Sequence, residues 1–171
     1  IHLARLLAFA ALNVVLAKAA LRLDAIGGFA ALVWPASGLA LVAVVLFGYE
    51  AAIAVVAASF IVNFGQGAPV APALGIAAGN AAEALVGAYL LRRSGFRADL
   101  ARLSDVVSLI GLGAVLSTLP SAVVGPLSLW AAGVIPGSRV LVTFRAWWMG
   151  DMYGDLVVGT LLFVWSRPSH P

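Results

Sequence analysis

Three acidic residues interrupt long apolar stretches of the sequence. Glu83 lies near the centre of one such stretch, and Asp151 and Asp155 lie near the centre of another. An ionisable side chain inside a transmembrane segment is costly to bury, so it usually marks a polar pathway or a binding site. Asp151 and Asp155 are four residues apart and therefore share one face of a helix. Acids at this depth suit a cation, an amine or a proton as ligand.

Glu83 belongs to a regular pattern of small residues. Gly75, Gly79, Glu83 and Gly87 recur every four residues and so form one stripe along a helix. Small residues at this spacing allow a second helix to approach closely. We therefore expect Glu83 to point into a helix bundle, with Asn80 close to the same face.

Other polar and aromatic residues fall at similar depths. Besides the three acids, the candidate ligand-binding residues are Lys18, Trp34, Asn63, Asn80, Arg145, Trp147 and Trp148. Two interpretations remain open. The polar groups either pair with one another between helices, or they line a pocket in the outer half of the bundle, with the acids below and the cations above. In such a pocket Lys18 and Arg145 would suit an anionic group of the ligand. The tryptophans fit an aromatic belt at the membrane boundary. The alternative is a lid over the pocket, since Trp147 and Trp148 lie about one turn from Asp151.

The composition places these residues in a membrane. The chain of 171 residues is 63% hydrophobic and 10% charged, whereas soluble domains carry about 25% charged residues. Helices and closed barrels satisfy the backbone in lipid, and long apolar runs without alternation favour helices over barrel strands. The chain has no cysteine and its two histidines lie at opposite ends. The sequence therefore predicts neither a metal site nor a cofactor, and no basic tract indicates nucleic acid.

Six apolar segments predict an all-α integral membrane protein, a bundle of about six transmembrane helices in one domain. The segments cover about residues 3–23, 34–48, 51–64, 70–91, 106–132 and 140–165 of 1–171. The second and third are shorter than the roughly 20 residues that a spanning helix needs. Pro120 and Pro126 predict a kink in the fifth segment, or a helix followed by a re-entrant stretch. Between residues 93 and 104 we expect a short amphipathic surface helix.

The basic residues predict the orientation of the bundle. The loop after the fourth segment carries four arginines, Arg92, Arg93, Arg97 and Arg102, and loops rich in Arg and Lys stay in the cytoplasm. With this loop inside, the N-terminus with Arg5 and the C-terminus with Arg167 are cytoplasmic as well.

Several motifs, taken in order, resemble a known family. They are WPASGLAL at 34–41, Asn63, GIAAGNAAEAL at 75–85, LLRR at 90–93, WWMGD at 147–151 and LVV at 156–158. This series is similar to the first family of membrane-associated sensor domains (the MASE type) over residues 34–165. The family's polar positions map onto Asn80, Glu83, Trp148 and Asp151.

The resemblance implies an N-terminal input module of a bacterial histidine kinase or diguanylate cyclase. It places the chain in the inner membrane, before a cytoplasmic output domain that this chain does not contain. Many family members continue with further transmembrane segments, so the chain is either a short member or a truncated one. A homodimer is a further expectation for the partners, besides the lipid bilayer and an unknown small ligand.

We predict a non-enzymatic sensory domain that binds a small ligand or a proton from the outer side. The alternative is the substrate-binding subunit of a small-molecule transporter, since vitamin transporters share the six-helix architecture; fold analogy alone does not establish function. A purely structural membrane anchor is a third interpretation. An intramembrane aspartyl protease is disfavoured, because its two acids should come from facing helices, whereas Asp151 and Asp155 share one.

Overall fold

The computed structural model describes residues 2–23 and 29–166 and confirms an all-helical fold. Six helices fit the six predicted segments. They are α1 (His2–Leu23), α2 (Pro35–Phe47), α3 (Ala51–Gly65), α4 (Val70–Arg93), α5 (Leu103–Ala131) and α6 (137–165). By length and composition α1, α4 and α5 can each cross a membrane. Helix α6 is as long as α5, and two arginines and two acids lower its apolar character: Arg139, Arg145, Asp151 and Asp155.

The outside of the bundle is apolar, as expected for contact with lipid. Large hydrophobic side chains stand out from every helix, among them Leu7, Ile53, Leu103, Val107 and Val157. In a soluble monomer so many exposed apolar side chains would create an aggregating surface. Their distribution around the whole bundle therefore supports a membrane-embedded protein.

Helix α4 lies at the centre of the bundle, against α2, α3 and α5. The predicted stripe of small residues forms its contact with α5. A methyl group added to Gly75 would meet Ser128, and one added to Gly79 would meet Ser121 and Val124. The prediction that Glu83 points into the bundle is confirmed, since its side chain is buried.

Helix α2 begins in the middle of the bundle. It has 13 residues and is therefore about 20 Å long, too short for a hydrocarbon core of about 30 Å. Before it, residues 29–34 are not helical, and the Trp34 N–H donates to the Gly150 carbonyl at 2.8 Å. Gly150 lies midway along α6, so α2 starts at mid-depth. Non-helical backbone at this depth is tolerated where it is buried in protein, as Ala30, Ala31 and Trp34 are.

Helix α5 continues through both prolines. It consists of an α-helical stretch (Leu103–Ser108), a π-helical stretch (Leu109–Leu116) and a second α-helical stretch (Leu119–Ala131). Pro120 lies in the first turn of that last stretch, where a missing N–H does little harm. The segment is therefore a single interrupted helix, and not a helix followed by a re-entrant stretch.

The predicted surface helix between residues 93 and 104 is wrong. This segment forms turns, with positive φ at Gly95 (69°) and Leu100 (51°). The Asp105 carboxylate stabilises the turns by accepting hydrogen bonds from the backbone N–H of Arg97 and from Arg102. These local hydrogen bonds replace the helical ones that the apolar periodicity favoured.

Both ends of the described chain lie at one end of the bundle. The Arg92 side chain donates to the carbonyls of Val44 and Val45, close to the end of α2. Phe47 lines one groove with Arg5 and another with Trp165. We call this the basic end of the bundle. Arg167, which the orientation argument used, lies outside the described residues.

Candidate functional site: a polar cavity at mid-depth

A small polar cavity lies at the centre of the bundle. Its lining comes from α1, α2 with the stretch before it, α3, α4 and α6. The lining residues with polar side chains are Asn13, Trp34, Ser37, Ser59, Asn80, Glu83 and Asp151. The cavity measures about 20 Å³, which accommodates about one water molecule. Four of the predicted residues, Trp34, Asn80, Glu83 and Asp151, thus share one cavity.

Glu83 and Asp151 both line this cavity. The two residues are 4% and 2% exposed, and their carboxyl groups are close enough for a side-chain hydrogen bond. Two ionised carboxylates contain acceptors alone, so a hydrogen bond between two carboxyl groups requires one proton. The pair is therefore suited to hold and exchange a proton.

Ser121 of α5 connects Asp151 to the rest of the site. Its hydroxyl lies 2.8 Å from Asp151 Oδ2 and 2.9 Å from Asn80 Oδ1. The indole N–H of Trp147 donates to the same hydroxyl at 2.9 Å. Asn80 in turn donates to Ser59 of α3 at 2.9 Å. Four helices, α3 to α6, thus meet in one hydrogen-bonded chain.

Asp155 lies one turn beyond Asp151, at the start of a π-helical turn (Asp155–Gly159) within α6. It is 1% exposed, and among the described residues neither of its carboxyl oxygens has a hydrogen-bond partner. The Ser37 hydroxyl is a neighbour, but its one proton goes to the carbonyls of Trp34 or Asp151. π-turns occur frequently at functional sites. Asp155 therefore adds a third buried acid beside the cavity.

The start of α2 also faces the acids. Ala36 and Ser37, in its first turn, line the cavity, and the Asn13 amide of α1 donates to the Ala36 carbonyl at 3.0 Å. A helix N-terminus carries partial positive charge and favours nearby negative charge. Because α2 begins at mid-depth, this favourable end reaches the buried carboxyl groups.

Three predicted residues lie elsewhere. Lys18 is exposed beside Gln66, at the end opposite the basic one, and Arg145 is exposed on α6. Trp148 stacks on Phe144 and donates to the Val115 carbonyl of α5 at 3.1 Å. The predicted layer of cations above the acids is thus not built into this cavity. Asn63 is closer, 3.5 Å from the Ser59 hydroxyl.

A family model for MASE1 matches residues 4–171 of the chain. The chain belongs to the MASE1 family. It is therefore a membrane-associated sensor domain. The match covers almost the whole chain, whereas the motifs covered residues 34–165. No curated protein and no solved structure matches the chain significantly.

Sequence reasoning missed four polar residues that line this cavity or join its hydrogen bonds. Asn13, Ser37, Ser59 and Ser121 are all buried polar residues within the bundle. Small hydroxyl residues are common in apolar helices, so their types alone carry little signal. Ser121 follows Pro120 directly and could have been found only by knowing that α5 packs against α4 at Asn80.

Proposed function

We propose that this MASE1 domain is the sensory input module of a larger bacterial signalling protein, with a stimulus that acts at the mid-depth cavity. The observation that carries the proposal is the pair formed by Glu83 on α4 and Asp151 on α6. Both carboxyl groups are buried inside a membrane-embedded bundle. Burial of such groups is expensive and is usually retained for function.

Helix α6 supports a route from the site to an output domain. It carries Asp151 and Asp155 and ends at Trp165, at the basic end of the bundle. A stimulus that prefers one arrangement of α6 shifts the population toward that arrangement. In the proposed orientation the domain lies in the inner membrane and its basic end faces the cytoplasm. There a kinase or cyclase domain of the same chain responds to the change in the arrangement of α6.

The size of the cavity bears on the transporter alternative. Sites for organic ligands usually measure about 300–1,000 Å³, whereas this cavity measures about 20 Å³. That room does not favour a substrate-binding subunit for vitamins. A purely structural anchor would need no buried carboxyl pair, and apolar packing would serve it better.

The test uses the complete signalling protein in membranes, with output activity as the readout. Glu83→Gln and Asp151→Asn preserve side-chain shape and remove the ionisable carboxyl group. We expect each to lock the output in one state, so that its response to the stimulus is lost. Glu50→Gln is the matched control, because Glu50 is an exposed acid near the basic end. Normal output from both site variants, with the protein still folded, would refute the proposal.

A further inference from the structure

The Ser121 hydroxyl has more neighbours than it can satisfy with one proton. The Trp147 indole nitrogen is always a donor, so it uses one lone pair of the hydroxyl oxygen. The remaining neighbours, Asn80 Oδ1 and Asp151 Oδ2, are both within 2.9 Å. If Asp151 is ionised, both are acceptors and the hydroxyl supplies a proton to just one of them. The two contacts can be hydrogen bonds together only if one of these two neighbours supplies a proton as donor.

One solution places that proton on Asp151. The acid then donates to the Ser121 oxygen, and the Ser121 hydroxyl donates to Asn80 Oδ1. The Asn80 amide nitrogen donates to Ser59 at 2.9 Å, as the structure shows. Every group of the chain then has a partner, and all hydrogen bonds run from α6 towards α3.

The other solution leaves Asp151 ionised and turns the Asn80 amide over. The oxygen and nitrogen of a carboxamide have nearly the same shape, so the turn needs little space. The Asn80 nitrogen then donates to Ser121, and the Ser121 hydroxyl donates to Asp151. Ser59 donates to the Asn80 oxygen and still accepts from Asn63. The three hydrogen bonds that join Ser59, Asn80, Ser121 and Asp151 now run from α3 towards α6, while the Trp147 N–H still donates to Ser121.

The surroundings of Asp151 contain acids and neutral groups. Its titratable neighbours are Glu83 on α4 and Asp155 on α6. The charge of Asp151 acts on both of these carboxyl groups. The other helices contribute neutral side chains at the site: Asn13 from α1, Ser37 from α2, Ser59 from α3 and Ser121 from α5. The candidate cations Lys18 and Arg145 are exposed. Within the part of the chain that the structure describes, the acids therefore meet no neutralising cation.

A metal ion fits these acids poorly. Among the described residues, no three acidic or histidine side chains converge in a way that could hold a metal ion. The cavity also has room for about one water molecule, so an organic ligand would need the bundle to open. A proton needs neither room nor convergent ligands.

We propose that the ligand of this site is the proton bound by the Glu83–Asp151 pair, and that the Ser121–Asn80–Ser59 chain reports its binding to α5, α4 and α3. This inference rests on the proposed sensory function and deepens it. With one proton on the pair, Glu83 holds it and donates to the Asp151 carboxylate. A second proton binds Asp151 and reverses the direction of the chain. Asp155 is buried one turn away and has no hydrogen-bond partner among the described residues. Whenever it is itself ionised, it disfavours negative charge on Asp151.

The experiment follows the domain in lipid nanodiscs by infrared difference spectroscopy while the pH is stepped from mildly alkaline to mildly acidic. We expect a C=O band of a newly protonated carboxylic acid, accompanied by a change in a carboxamide band. Asp151→Asn loses the acid band. Because that variant could misfold, Asp151→Glu serves beside it and retains the acid band at a shifted frequency.

Ser121→Ala separates proton binding from the relay. It retains the acid band of Asp151 and loses the accompanying carboxamide change. Ser128→Ala is the matched control, because Ser128 is on the same helix and bonds the Val124 carbonyl of its own helix. It retains both bands. A carboxamide change that survives in Ser121→Ala would overturn the relay.

Two results would overturn the proton as ligand. One is the absence of any titrating acid band in the wild-type domain. The other is a spectral change at constant pH when sodium is replaced by a large organic cation. The output assay distinguishes these failures from failure of the sensory function. If output depends on Glu83 and Asp151 but no acid band titrates, the proton is not the ligand and the sensory function stands. If an acid band titrates but the Glu83 and Asp151 variants have unaltered output, the sensory function is refuted.

Discussion

The backbone N–H of Trp34 donates a 2.8 Å hydrogen bond to the carbonyl oxygen of Gly150. This contact fixes the start of α2 to the centre of α6, one residue before Asp151. The Ser37 hydroxyl adds a second link, because it lies 2.9 Å from the Asp151 backbone carbonyl. The two helices are thus joined at the depth of the cavity, and a shift of α6 there must move the start of α2.

Glycines make this close contact between α2 and α6 possible. A methyl group added to Gly154 would overlap the Trp34 carbonyl oxygen and the Ser37 hydroxyl. We predict that Gly154→Ala lowers the free energy of unfolding by about 1–3 kcal/mol, the usual cost of overpacking. The measurement is denaturation by SDS in mixed micelles, with helix content as the signal.

Gly111→Ala is the matched control for that prediction. Gly111 is also within a membrane helix, and an added methyl group there meets no other atom within 4 Å. Its stability should stay close to that of the wild type. Equal stability of both variants would show that the α2–α6 contact is looser than the structure indicates.

Helix α2 shows how far the sequence determines this fold. Its apolar run and the starting Trp34-Pro35 placed its ends within about one residue of the observed Pro35–Phe47. The same run could not show that the helix begins at mid-depth. That position depends on the pairing of Trp34 with Gly150, more than a hundred residues away, and such long-range contacts leave no periodic pattern in the sequence.

Arg92 holds the other end of α2. Its guanidinium donates to the carbonyls of Val44 and Val45 at 2.8 and 3.1 Å and lies 4.4 Å from the centre of the Tyr49 ring. Free carbonyls at a helix C-terminus favour a cation. We predict that Arg92→Ala destabilises the last turn of α2 and accelerates amide hydrogen exchange there, whereas Arg92→Lys has a smaller effect because it cannot donate in the same planar geometry.

The neighbouring Arg93 provides the comparison. It is exposed at the end of α4, and Arg93→Ala removes the same charge from the basic end. Exchange in α2 should be unaltered in this variant. If both alanine variants accelerate exchange equally, overall charge rather than the contact of Arg92 with α2 is responsible.

We expect both the indole N–H and the ring of Trp147 to stabilise the folded bundle. Its indole nitrogen donates to Ser121 at 2.9 Å, and its ring lies against Gly125 of α5. Trp147→Phe retains an aromatic ring and removes the donor. We predict that this variant lowers the free energy of unfolding by about 0.5–1.5 kcal/mol, the net contribution of one hydrogen bond, measured by the same SDS denaturation. Trp165→Phe, at a side chain that is 75% exposed, should leave stability unaltered; a similar loss there would contradict the assignment.

The acids of the site were easier to predict than their partners. Charge inside an apolar segment is conspicuous, so Glu83 and Asp151 could be chosen from the sequence. Lys18 and Arg145 were conspicuous for the same reason, yet both side chains are exposed. Long basic side chains can reach the membrane surface from within a helix, whereas short acidic ones cannot, which is why depth in the sequence located the acids better than the cations.

The proposed orientation can be tested directly, because the chain has no cysteine. Gln66 and Arg93 are exposed at opposite ends of α4, just before its start and at its last residue. With the basic end in the cytoplasm, Gln66→Cys in intact cells reacts with a membrane-impermeant maleimide, and Arg93→Cys reacts only after the membrane is opened. Detergent-solubilised protein is the control, since both cysteines should then be labelled. The reverse pattern would invert the bundle and place both described ends of the chain outside, where no cytoplasmic output domain could receive a signal from α6.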